Sequence, residues 1–340
     1  MNHSMKKISI ILVVFAFNVL CGKSFSQTNS GPYEVATWQG FREAAVSYTF
    51  DDNCPNQLAV AIPMFNDFGY RVTMFVPSAW IKDWTGLQSA ADQGHEIASH
   101  TVTHANLGNL TTAQQLPELK NSKDTINAHI KNHSCVTIAY PFCTPGNESL
   151  CANYYIAARH CQGYVESKTP ADFMKISSIA TGAAASIQTV QDFNSKVEKA
   201  DSLKGWCVFL IHGIDNDGGY SPTQSTVLRS HLDYMKQHSD RFWIAPFGDV
   251  VRYIRERNAV TVQEISNKKT SITIQVSDKL EKSVYNYPVT IRRILPKKWK
   301  SATIMQNGQK VKTEILKKGT LKYITFNIVP DNGEIIISKH

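Results

Sequence analysis

Two adjacent carboxylates, Asp51 and Asp52, close the apolar run Ala44-Ala45-Val46-Ser47-Tyr48-Thr49-Phe50. Like charges side by side at the end of a buried strand repel and lose hydration unless a cation sits between them. A second cluster, His100-Thr101-Val102-Thr103-His104, carries two imidazoles at a spacing of four. That spacing puts both on one side of a helical turn. No Glu follows His100, so this is not the HExxH arrangement of metalloproteases. An HxxxH pair standing alone is ordinarily structural. With a third ligand from the Asp pair, however, it becomes a His2Asp set with open positions, suited to Zn2+ or a similar divalent ion such as Co2+. One carboxylate then binds the metal and the other stays free beside it. Tyr140-Pro141-Phe142 and Leu210-Ile211-His212 end two further apolar segments.

The elements that carry these clusters alternate. Ala44–Phe50, Val72–Val76, a short segment through Ile97, Val136–Tyr140, Tyr154–Arg159, Trp206–Ile211 and Phe242–Ala245 read as strands. Helical spacing is legible over Asn56–Phe68, around Leu87–Gln93, and over Leu116–Lys131, Thr226–Gln237 and Gly248–Asn258. Strand-helix alternation argues for a parallel sheet, open or closed as a barrel. The chemistry-bearing clusters then fall at strand C-terminal ends, where α/β folds place active sites. After Asn258 the texture changes to short alternating segments such as Ser271–Val276, Val289–Ile294 and Tyr323–Ile328. Turn signals separate them, including Asn307-Gly308 and Asp331-Asn332-Gly333. This predicts a small all-β, sandwich-like domain over 261–340.

The clusters resemble the motifs of the polysaccharide deacetylases of the NodB-homology, carbohydrate esterase family 4 type. Thr49-Phe50-Asp51-Asp52 matches the family's first motif, Ser99-His100-Thr101-Val102-Thr103-His104 its second, and Leu210-Ile211-His212 its last. The resemblance covers roughly 43–258 and implies an α/β fold, a distorted (β/α) barrel of about seven parallel strands. It implies hydrolysis of N- or O-linked acetyl groups on a polysaccharide or oligosaccharide. Position by position, Asp51 would be the general base for a water on the metal, and Asp52, His100 and His104 the metal ligands. His212 would be the general acid for the leaving group. The metal would lower the pKa of its water to about 7 and polarise the acetyl carbonyl, and the Phe142 backbone N–H, in the Tyr140-Pro141-Phe142 turn, would make a second oxyanion contact.

The third motif departs from the family pattern. Ala139 stands where the family carries the Arg that holds the base carboxylate. Parallel strands lie about 4.8 Å apart, a gap an Arg side chain can span. Arg159, on the strand expected next in the sheet, is therefore the candidate replacement. Among the aromatics, Trp84 and Tyr220 sit in loop-like contexts and are candidates to line a sugar groove. Cys54 and Cys143 each lie just past a motif and are candidates for a disulfide across the site mouth.

The remaining composition sets the setting. The chain has 340 residues, 42% hydrophobic and 19% charged, an ordinary globular balance. Lys6 and Lys7, the apolar run Ile8–Leu20 and Ser24-Phe25-Ser26 read as a signal peptide over 1–26, leaving a catalytic domain over 27–258. The protein is thus expected to be exported (periplasmic, cell-surface or extracellular), with no membrane span once the signal is removed. The net charge of +8 is concentrated after 260, where fifteen Lys/Arg face six Asp/Glu. No aromatic-basic interleaving accompanies it, so nucleic acid is not the expected partner. The expected partner is an acetylated glycan. The rival readings are a carbohydrate-binding protein weakened in turnover by the loss of the motif Arg, and a structural surface protein.

Overall fold

The computed structural model describes residues 31–340, so the expected export signal lies outside the described residues. The strands of the first part are β1 (Tyr33–Val35), β2 (Ala44–Asp51), β3 (Thr73–Val76), β4 (Glu96–Ser99), β5 (Thr137–Ala139), β6 (Ala157–Arg159), β7 (Ile179–Ala180), β8 (Trp206–Ile211) and β9 (Phe242–Ile244). Seven of them form a curled parallel sheet in the order β6-β5-β4-β3-β2-β8-β7, and β9 pairs onto the start of β2. Ile176, just ahead of β7, bridges to Arg159 at the end of β6, so the sheet curls until its two edges touch. This is the distorted barrel of seven parallel strands that the family resemblance implies.

Side-chain alternation along the strands decides what faces inward. Val46, Tyr48 and Phe50 pack beneath the outer helices, in one cluster with Phe65, Phe193 and Leu232. The intervening Ser47, Thr49 and Asp51 face the interior. There the Ser47 hydroxyl donates to the Ala245 carbonyl at 2.8 Å and the Thr49 hydroxyl to the Phe209 carbonyl at 2.7 Å. The same period puts Ile97, Ile138 and Ala158 outside, and Ala98, Ala139 and Ala157 inside. Asp51, His100, Arg159 and His212 follow the inward phase of their strands. Both faces of these strands are covered, as a parallel sheet requires.

The helices are α1 (Ile62–Phe68), α2 (Trp84–Asp92), α3 (Thr112–His129), α4 (Glu148–Ala152), α5 (Val190–Leu203), α6 (Ser225–Gln237) and α7 (Phe247–Ala259). A π turn over Gln57–Ala61 leads into α1. Helix α3 begins with a capping box between Thr111 and Gln114. Helix α5, which the sequence reading left out, begins with one between Thr189 and Asp192.

Beyond α7 come β10 (Thr261–Asn267), β11 (Ser271–Ser277), β12 (Val289–Ile294), β13 (Ala302–Gln306), β14 (Gln309–Val311), β15 (Thr313–Lys318), β16 (Leu321–Ile328) and β17 (Ile335–Lys339). They form two antiparallel sheets, β10-β11-β17-β13-β14 and β1-β12-β16-β15. The β13–β14 hairpin turns through Asn307 (φ 46°) and Gly308 (φ 76°), both left-handed, which is why Asn-Gly stands there. Strand β1, from the start of the chain, pairs with β12. The apolar faces of these sheets, including Ile274, Ile291, Phe326 and Ile337, are continuous with Trp38, Trp243, Phe247 and Tyr253 beneath the barrel. Among the described residues no helix is long and apolar enough to cross a membrane.

Candidate metal centre

Asp51 is the last residue of β2 and Asp52 the first beyond it. Pairing of Phe50 with Ile211 on β8 brings His212 off the neighbouring strand end. Strand β4 delivers His100, whose backbone N–H bonds to the Val76 carbonyl of β3. Glu118 on α3 fixes the turn that carries His104. Its carboxylate accepts from the Val102 N–H at 2.8 Å, the Thr103 N–H at 2.9 Å and the Thr103 hydroxyl at 2.8 Å. Asp52, Asn53, Thr101, His104, Phe142 and Cys143 all have positive φ. Such non-glycine backbone costs about 1–3 kcal/mol per residue and collects at functional sites.

His100 Nε2 lies 3.7 Å from Asp52 Oδ1, and His104 Nε2 lies 3.4 Å from the same oxygen. The ligating atoms of the three residues all fall within 4.8 Å of one another. His100 is buried, and desolvation pushes its pKa down to about 3, so the imidazole is neutral. Its Nδ1–H donates to the Ala139 carbonyl at 2.8 Å, which leaves Nε2 as a lone pair aimed at Asp52. Asp52 Oδ1 is buried without a hydrogen-bond partner, and so is Asp51 Oδ1. Acceptor atoms facing one another in this way carry an unfavourable interaction that a divalent cation removes. The donor set, two imidazoles and one carboxylate with space on one side, fits Zn2+ or a similar ion.

Arg159 is buried and its Nη2 donates to Asp51 Oδ2, while Nη1 donates to Ser178 Oγ at 3.1 Å. The guanidinium also lies over the Phe75 ring, 5.3 Å from its centroid. Ala139 pairs with Arg159 in the sheet. An inward methyl at 139 leaves the volume into which a guanidinium from the next strand can reach.

The other predicted positions divide. His212 is half-buried, with Tyr220 edge-on to its ring at 5.1 Å, and Tyr220 is exposed. Phe142 is exposed and edge-on to His104 at 4.6 Å. Tyr140 belongs to the outer core, because the inward phase of β5 falls on Ala139 and not on its neighbour, and Pro141 is buried too. Trp84 is no part of the groove. As the first residue of α2 it stacks on His129 at 4.2 Å, and Trp80 takes the position beside the site, 5.1 Å from His104. The disulfide expected between Cys54 and Cys143 is replaced by Cys143–Cys161, with Cα atoms 5.7 Å apart. These two cysteines leave the ends of adjacent β5 and β6, whereas Cys54 is buried with its sulfur 3.8 Å from the Asp51 carbonyl. Burial and the surrounding carboxylates push the Cys54 thiol up to about 12, so it is no nucleophile.

Sequence reasoning missed Gln57. It is fully buried in the π turn, and its Nε2 donates to the Asp51 carbonyl at 2.6 Å and the His212 carbonyl at 2.9 Å. One amide thus staples two site-bearing strand ends. Its place one turn after the Asp pair was the available signal, but Gln reads as an exposed residue in a helix pattern.

The curled parallel sheet is thus an α/β barrel with an Asp-His-His cluster at its C-terminal mouth that could hold a metal ion. The family model of polysaccharide deacetylases matches residues 39–154 of this chain. Two relatives place the segment in longer proteins. A gellan lyase of a Bacillus species is 29% identical over 329 residues, covering 90% of this chain and 13% of the relative. YxkH of Bacillus subtilis (strain 168), assigned as a polysaccharide deacetylase, is 30% identical over 113 residues, 32% of this chain and 40% of the relative. The chain therefore spans well under half of either relative's length. A crystal structure from Mycobacterium smegmatis, likewise assigned as a polysaccharide deacetylase, superimposes with a TM-score of 0.51. It is 15% identical over 65% of this chain and 93% of its own, a likeness of fold.

Proposed function

We propose that the protein is an exported, metal-dependent hydrolase that removes N- or O-linked acetyl groups from a glycan. The observation that carries this reading is the convergence of Asp52, His100 and His104 on one point, with a second carboxylate, Asp51, held beside it by Arg159. A divalent ion there would polarise an acetyl carbonyl and bring a bound water's pKa to about 7. Asp51 takes the proton of the attacking water through its free oxygen, Oδ1. Arg159 keeps Asp51 from rotating toward the ligand set. His212, on the other side of β2, donates a proton to the departing amine or alkoxide. The Phe142 turn closes the site beside His104, and its backbone N–H is the second contact for the developing oxyanion.

Export is supported by the Lys6-Lys7 and Ile8–Leu20 pattern and by the Cys143–Cys161 disulfide, which belongs in an oxidising compartment. A sugar-binding protein without turnover is the reading Ala139 alone would favour, and the Arg159 contact removes its motive.

The test is acetate release from acetylated xylan, chito-oligosaccharide and peptidoglycan by protein loaded with Zn2+ or Co2+. Asp52→Ala should lose the metal by elemental analysis. Asp51→Asn should keep it and slow turnover by about 100-fold or more, the cost of a missing general base. No acetate from any of these substrates with the metal bound would overturn the proposal, and metal loss in Asp51→Asn would reverse the two carboxylates' roles.

A further inference from the structure

The two ends of the C-terminal sheets carry opposite charge. Strand β10 leaves α7 at Thr261 and runs to Asn267, about 20 Å away. At the end beside α7 the charges are acidic: Glu256 and Asp278 lie close enough to repel, and Asp331 accepts from the Asp278 N–H at 3.2 Å. At the far end basic segments meet. The β10–β11 turn carries Lys268 and Lys269, and the β12–β13 loop carries Lys297, Lys298 and Lys300. The Trp299 indole N–H joins them, donating to the Lys269 carbonyl at 3.2 Å. The tip of the β15–β16 hairpin adds Lys317, Lys318 and Lys322, and the Leu295 N–H ties the loop to it through the Lys322 carbonyl at 2.8 Å. Lys339 closes the group, its N–H donating to the Thr270 carbonyl at 2.9 Å.

These ammonium groups have no counter-charge within the fold. Among the described residues the ion pairs of lysine are confined to Lys120, Lys175 and Lys204. Glu34 and Glu264, on strands that lead to this end, are held by Arg292 and Arg293. Lys317 and Lys322 stand directly opposite each other, a like-charge pairing that weakens a sheet. Lys322 is half-buried and the other lysines are exposed. Leu316 (41%) and Leu321 (40%) are exposed beside them. Leu316 pairs with Tyr323 and Leu321 with Lys318, so both leucines share one face of the hairpin tip. The described chain also enters here. The Ile294 N–H donates to the Pro32 carbonyl at 2.9 Å, so the segment expected to engage a membrane during export joins the fold at this end.

We infer that this end of the C-terminal sheets docks on an anionic lipid bilayer, the lysines meeting headgroup phosphates and Leu316 and Leu321 entering the acyl boundary. Surface binding of this kind draws on two terms, electrostatic attraction and buried apolar area, and both are present. The lysine stems can lie along the leucines while their ammonium groups stay among the headgroups. A soluble polyanion would engage the lysines but leave the leucines in water. No residue of the metal centre takes part, so the inference stands apart from the deacetylase reading.

The experiment is vesicle co-sedimentation of the protein lacking residues 1–26, so that the apolar run Ile8–Leu20 plays no part. Vesicles of phosphatidylcholine with about 30 mol% phosphatidylglycerol should bind it at about 0.1 M salt, and pure phosphatidylcholine should not. Each basic residue at such a surface adds about fivefold in partitioning, so Lys317→Gln, Lys318→Gln and Lys322→Gln combined should weaken binding by about 100-fold. Lys120→Gln, Lys199→Gln and Lys236→Gln combined remove the same charge from exposed helix positions of the barrel and should leave binding unchanged. Leu316→Ser with Leu321→Ser should weaken binding by about 10-fold. Equal binding to neutral and anionic vesicles, binding to neither, or an equal loss in both triple variants would overturn the inference. A leucine variant that binds like the wild type, or capture by polygalacturonate with the vesicles left unbound, would overturn it too and assign this end to a soluble polyanion.

Discussion

Asp51 and Arg159 form a buried pair at the barrel mouth, both nearly inaccessible to solvent. Removing one partner of such a pair leaves an uncompensated charge, commonly at a cost of about 3–5 kcal/mol. Burial alone pushes the Arg159 pKa down, and the Asp51 carboxylate opposes that shift. Arg159→Met should therefore lower kcat by about 100-fold with KM nearly unchanged. In a double-mutant cycle its effect should largely vanish in the Asp51→Asn background. An equal loss in both backgrounds would show that Arg159 acts through packing on Phe75 instead. Arg159→Lys should recover part of the rate, since an ammonium supplies the charge without the fork.

At the level of elements, the site is held by connections between strand ends. Gln57 ties the β2 end to the β8 end, and the Cys143–Cys161 disulfide ties the β5 turn to the β6 end. Gln57→Met keeps the volume but takes the donor from two backbone carbonyls, a loss of about 1–3 kcal/mol each where they stay buried. Metal content should be unchanged in this variant while kcat falls about 10-fold, the spacing of Asp51 and His212 having relaxed. A variant with wild-type kcat would reduce Gln57 to a structural residue. Cys161→Ser frees the Phe142 turn. Its expected signature is a raised KM with the metal retained, because in the proposed function Phe142 borders the substrate, and it is no member of the metal cluster.

Over the whole molecule, the barrel base and the C-terminal sheets share one apolar core. Strand β1 reinforces this by crossing from the start of the chain to β12. Cutting the chain after Asn258 would strip Trp243, Phe247 and Tyr253 of their cover, so the truncated protein should aggregate, and soluble, active barrel would contradict this. The joint also holds a buried carboxyl. Glu256 on α7 accepts from the Tyr287 N–H at 2.8 Å, and desolvation pushes its pKa up to about 8, with Asp278 and Asp249 adding to the rise and Arg252 opposing it. The folded state then binds a proton that the unfolded chain releases near pH 4.5. Stability is fully present below that pH and is lost as pH rises through about 8. Thermal melting should fall by several degrees between pH 6 and pH 9. Glu256→Gln, which keeps the acceptor oxygen and cannot ionise, should flatten that fall.

The sequence alone determined the motif residues, the strands that carry them and the change of texture after Asn258. These depend on local regularities: side-chain alternation, turn residues, and carboxylates placed where a strand ends. Arg159 was legible because Ala139 left a charge without its partner and the next strand supplied a guanidinium. What only the tertiary structure decided was lateral. Strand adjacency joined Cys143 to Cys161 and not to Cys54, since the β5 and β6 ends are neighbours. The inward phase of β5 sent Tyr140 to the outer core. Helix packing put Trp84 on His129 and left Trp80 beside His104. The hydrogen bonds of Gln57 and Glu118 reach backbone groups that no spacing rule identifies, because their partners come from other strands and turns. Periodicity fixes which face a residue takes on its own element; which neighbour it meets across that face depends on the order in which the barrel's strands close.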